Sequence, residues 1–148
     1  MTFQDLLRNE GIDPAAVRLL RHAARGGRTH IGPHAAWQQD RERFETYQAT
    51  QSARYRRFFD SPYWASFVAT PSGETLFVGL YEVDGVDGPV SPFTCPLSGV
   101  RHDGSVVDRY RLRRSAKLAS EIGRTIDWGP GARAWRQRAS GRPKAMAD

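Results

Sequence analysis

Residues 61 to 100 hold no Lys or Arg, in a chain of 148 residues that has 22 of them and a net charge of +6. Ten basic residues precede this window and twelve follow it. Within it, YWASFVATPSGETLFVGLYEV (63–83) sets two runs of β-forming residues on either side of Pro71, Ser72 and Gly73. Branched and aromatic side chains fit a pleated surface, whereas Pro and Gly turn the chain, so the pattern predicts a hairpin with strands over 63–70 and 74–83. Strict alternation would put Leu76, Val78, Leu80 and Glu82 on one face, and Phe77, Gly79, Tyr81 and Val83 on the other. Gly79 in mid-strand signals a bulge or the close approach of another group.

Shorter signals flank the hairpin. Thr2 can cap a helix whose apolar stripe is Phe3, Leu6 and Leu7, with Asp5 in the first turn and Gly11 as its stop. Asp13-Pro14 reads as a turn into a strand over Val17 to His22, and residues 24–34 as a Gly/Pro loop. One helix is predicted from Ala35 to about Tyr55, with Trp37, Phe44 and Tyr47 on one face. A long loop follows the hairpin from Val83 to Gly99. A third strand over 106–114 puts Arg109, Arg111 and Arg113 on one side and Tyr110 and Leu112 on the other. Residues 115–123 read as a short helix, 125–139 as strand, tight turn and strand. The expectation is an α+β fold, a small β-barrel or strongly curved sheet with two to three flanking helices. It forms one domain over 1–138, with a flexible tail over 139–148.

Composition narrows the function classes. No apolar run approaches the ~20 residues that a membrane-spanning helix needs, and no secretory signal is visible. The single Cys95 allows no internal disulfide and fits a cytoplasmic protein. Twenty of the 22 basic residues are Arg, whose planar fork suits phosphate and whose face stacks on bases. A GC-rich genome would produce the same bias. The net positive excess points to a polyanionic partner, and no basic amphipathic helix points to a membrane.

Chemistry-bearing motifs are few. The only close histidine pair, His30 and His34, spans Gly32 and Pro33, so no metal site is expected. No cofactor motif, G-x-S-x-G elbow or phosphate-binding loop occurs, and the chain is expected to bind rather than catalyse. Two constellations remain. Tyr47, Gln48 and Gln51 place amides, which can pair with base edges, at a helix end that is otherwise simply polar. Asp127 and Trp128, near Trp135, could hold a base between rings while the carboxylate accepts from an exocyclic amine; both tryptophans could equally fill a core.

The segments LLRNEGIDPAAVRLLRH, FETYQATQ, YWASFVATPSGETLFVGLYEV and IDWGPGARAWRQRA cover nearly the whole chain. Together they resemble the amino-terminal domain that precedes the catalytic module of some bacterial GIY-YIG nuclease family proteins. That domain is in turn similar to the PUA-like superfamily, which includes EVE, ASCH and SRA-type domains. The nuclease motif itself is missing, since Gly79-Leu80-Tyr81 has no second half downstream. The resemblance implies a module that reads a modified or flipped base in DNA rather than RNA, as the recognition part of a restriction or defence nuclease. The base pocket would be Tyr47, Gln48, Gln51, Trp64, Asp127 and Trp128. Arg21, His22, Arg109, Arg111, Arg113 and Arg133 would contact phosphate. An ASCH-like small ribonuclease is one alternative and would need His22, His102 or Asp127 as acid and base. The other is a protein-interaction module that docks a nuclease or toxin partner on an exposed apolar hairpin.

Overall fold

A computed structural model describes residues 1–22, 31–127 and 129. Helix α1 (Phe3–Asn9) begins at Thr2, whose side chain accepts from the Asp5 amide while Asp5 reaches back to the Thr2 amide, so two otherwise orphaned donors are satisfied. A 3-10 turn at Pro14–Ala16, capped by Asp13, leads into β1 (Val17–His22). The single long helix expected next is two. Helix α2 (Pro33–Gln39) ends at Asp40, and the same residue caps α3 (Arg41–Ala49) by accepting from the Arg43 amide. Strand β2 (Thr50–Ser52), a 3-10 turn (Ala53–Tyr55) and the one-turn helix α4 (Arg56–Phe59) follow.

The predicted hairpin forms as β3 (Tyr63–Ala69) and β4 (Thr75–Val90), joined antiparallel around Pro71–Gly73. Two corrections apply. First, the register slips by one residue at Val78, so Gly79 sits at φ +154° with the Tyr81 ring beneath it. The bulge moves Leu80 to the face of Phe77, and brings Tyr81 to the face of Val78. Second, β4 runs on through Asp84–Val90, where a loop was expected, because further irregularities after Val83 and Asp87 absorb its turn residues. Strands β5 (Phe93–Thr94) and β6 (Arg101–His102) make a small flap. Strand β7 (Val107–Arg114) then returns along β4, and the expected last helix is only a 3-10 turn at Ala119–Glu121.

The main sheet has the order β1-β3-β4-β7-β2, with β1 parallel to β3 and the other pairs antiparallel, and curls into a half-barrel. The fold is therefore α+β with a strongly curved sheet. One face carries Val17, Leu19, Ala65, Phe67, Phe77 and Leu80, covered by Phe3 and Leu7 of α1. The opposite face carries two clusters. Val68, Val78 and Val107 meet Ala36, Phe44 and Tyr47 of α2 and α3, while Leu20, Trp64, Tyr81 and Tyr110 meet Phe59 of α4. Phe59, Trp64 and Tyr110 form an aromatic triangle with centroids 4.8 to 5.9 Å apart, close enough for edge and tilted ring contacts to add to apolar burial.

Candidate functional site

The charge pattern of the sequence has a local cause. Three of the four carboxylates of the basic-free window, Glu82, Asp84 and Asp87, lie on β4, and β7 pairs with β4, so the two charge signs meet across the ladder. Arg111 bonds to Asp87, and Arg113 reaches Glu82 at 3.1 Å and Asp84 at 3.6 Å. Gly85 makes room for this: a Cβ there would collide with the Arg111 guanidinium. Arg114, on the other face, forks onto Glu45 of α3 at 2.6 and 2.7 Å, and Tyr81 donates to the same carboxylate at 2.8 Å. Two of the three strand arginines expected to contact phosphate, Arg111 and Arg113, are thus ion-paired. Arg109 is exposed and makes no such pair among the described residues.

The predicted base pocket is distributed differently. Tyr47, Gln48, Gln51 and Trp64 are buried, and so is His22. His22 Nε2 lies 3.2 Å from Gln48 Oε1, Gln51 donates to the Gln48 carbonyl oxygen, and Trp64 donates to that of Phe59. These residues are interior structure, His22, Tyr47, Gln48 and Gln51 around α3 and Trp64 against α4. The apolar surroundings push the His22 pKa down from 6.5 to about 4, against the opposing pull of Gln48, so the ring is neutral at physiological pH. It is no acid–base partner for a bound phosphodiester. Asp127 is exposed, and its backbone carbonyl accepts from the Phe3 amide at 2.8 Å, which ties it to the start of α1 on the sheet's other face. Arg21 is exposed on the edge strand β1, where it bonds to Thr75, three strand spacings (about 14 Å) from β7. Trp128, Arg133, Trp135 and His30 lie outside the described residues. The hairpin shows no broad apolar patch: the exposed large apolar side chains among the described residues are Met1, Val86, Val100 and Val106.

What the sequence reading missed is a cleft over the aromatic triangle. It encloses about 680 Å³ between α4 and the β4–β7 ribbon, lined by Arg56, Arg57, Phe59, Asp60, Val83 and Tyr110 among others. That volume is within the range of small-molecule sites. The fork from Arg56 to the fully buried Asp108 fixes α4 against β7 and so sets the cleft's width. The side chains of Arg57, exposed on the lip, and Arg54, one turn earlier, make no hydrogen bond or ion pair among the described residues. Tyr110 is only 7% exposed, and its buried hydroxyl has no hydrogen-bond partner among the described residues. Burial foremost, then the Asp108 charge, raises its pKa from 10 to about 12, so it keeps its proton and remains a donor. The signal that could have found this site is ARYRRFF (53–59), basic residues interleaved with aromatics.

Beyond the shared residues Tyr110 and Asp84 lies a more polar groove of about 770 Å³, walled by Glu42, Glu45 and Thr46 of α3 and by Leu112, Arg113 and Arg114 of β7. Its charges largely answer one another. The first cleft differs in its more apolar lining and in one cation, Arg57, that makes no ion pair among the described residues, beside the carboxylates of Asp60 and Asp84. Among the described residues no cluster of His, Cys, Asp and Glu could hold a metal ion, and no helix is long and apolar enough to cross a membrane. Comparison with family models, with curated proteins and with solved structures gives no match.

Proposed function

We propose that this chain is a nucleic-acid-binding module, a PUA-like reader acting in the cytoplasm that takes one unstacked DNA base, modified or not, into the cleft over Phe59 and Tyr110. The observation that carries this reading is the cleft with Arg57 on its lip and Arg54 one turn earlier, whose guanidinium groups have no partner among the described residues. The apolar lining of Pro62, Val83, Val86 and Tyr110 takes the base out of water, and the exposed arginines grip the flanking phosphates. Asp60 on the cleft wall accepts from an exocyclic amine. The module would serve as the recognition part of a restriction or defence nuclease.

The test is fluorescence anisotropy with labelled DNA oligonucleotides that differ at one cytosine or adenine and its modified forms, over a salt series. Expected are salt-dependent binding and a preference for one base. Val83→Phe, which narrows the cleft from the β4 side, should erase that preference. Absence of binding at low salt, or equal affinity for every base in wild type and variant, contradicts the proposal.

A further inference from the structure

A second cleft lies on the other side of the arginine turn. It encloses about 460 Å³ and is lined by Ser52, Arg54, Phe93, His102, Ser105 and Val107 among others. The imidazole of His102 lies flat against Phe93, with centroids 4.9 Å apart and planes 14° from parallel. Phe93 is 5% exposed and held in the core, so it backs the half-buried His102 ring as a fixed platform. The same Arg54, whose side chain has no partner among the described residues, stands at this cleft, one residue before the Tyr55 that leads into α4.

Both clefts are tied to one strand. The amide of Ala53 donates to the Val106 carbonyl oxygen at 3.0 Å, at the second cleft, and Arg56 forks onto Asp108 beside the first. Val107 lines one and Tyr110 the other, three residues apart on β7 and therefore about 10 Å along the strand. Between them runs the turn that carries Arg54 and Arg57.

We infer that the His102 cleft is a second nucleotide subsite, so that the partner is an unpaired stretch of at least two nucleotides. Its backbone crosses the Arg54–Arg57 turn while two bases occupy the two clefts. The inference rests on the reading of the first cleft as a base site. A paired duplex cannot supply it, because neighbouring bases in a duplex remain stacked on each other.

The experiment is isothermal titration of the full chain with a mononucleotide, a dinucleotide and a six-nucleotide DNA single strand, and with that six-mer as a duplex. Affinity should rise about tenfold from one nucleotide to two. His102→Ala should remove that step and leave mononucleotide binding unchanged. Arg54→Ala, which disturbs no packing, should reduce it too. The duplex should bind more weakly than the single strand. Equal affinity for one and two nucleotides, with a base preference that Val83→Phe erases, overturns the second subsite and keeps the first. No binding at any length overturns both.

Discussion

Two arginine-rich segments, YRLRR on β7 and ARYRR before and within α4, look interchangeable as sequence and differ as structure. On β7 the guanidinium groups of Arg111, Arg113 and Arg114 meet Asp87, Glu82, Asp84 and Glu45. These exposed pairs add little to stability and leave little free charge for a partner. In the turn, Arg56 is spent on structure, through Asp108, whereas Arg54 and Arg57 are exposed and make no ion pair among the described residues. A basic net charge therefore says less about binding than the count of cations that the fold leaves unanswered.

The comparison can be broken at several points. The largest effect concerns the fold beneath both segments. Buried His22 has a pKa near 4 in the folded chain and 6.5 as its ordinary value. Between these values the unfolded chain takes up a proton that the folded chain refuses, so stability falls as pH drops through this window. Integrated over roughly 2.5 pH units, the loss is about 3 kcal/mol. Chemical denaturation at pH 7, 5.5 and 4 should show it, and His22→Gln should flatten the trend. A wild-type stability that does not change across the window would contradict the burial of a neutral ring.

A smaller effect separates neighbours within the turn. Arg56→Ala strands the buried Asp108 carboxylate and should lower Tm clearly, while Arg57→Ala should leave Tm within ~2 °C. Equal losses in thermal melts would mean that Arg57 is also structural. Smaller again is the ribbon itself. Gly85→Ala puts a side chain at φ +153° and against the Arg111 guanidinium, and should cost about 1–2 kcal/mol in denaturant titrations. If base preference also changed, the ladder would belong to the site.

The sequence made much of the scaffold legible. The hairpin, β1 and the outward row of Arg109, Arg111 and Arg113 follow from alternation and from the Pro-Ser-Gly turn. Other features were hidden by residues with two uses. Asp40 sits in a polar run that suits a helix interior, yet it caps one helix at the end of another. Asp84–Val90 has turn composition, yet it continues a strand because irregular register lets glycines sit where side chains would collide. The candidate site was harder. Gln48 and Gln51 suit a ligand or a solvated helix end by type, and only tertiary packing reveals them as buried. Arg57 and Arg111 are the same residue type in similar company. What distinguishes them is a carboxylate brought from far along the chain, and local sequence does not show it.

The central claim is that the turn, rather than the ribbon, meets nucleic acid. Its most direct test is the salt dependence of single-stranded DNA binding for wild type, Arg57→Ala and Arg111→Ala. The account predicts that Arg57→Ala weakens binding and lowers the slope of log affinity against log salt by about one, while Arg111→Ala leaves both unchanged. A lower slope in Arg111→Ala with none in Arg57→Ala would contradict it.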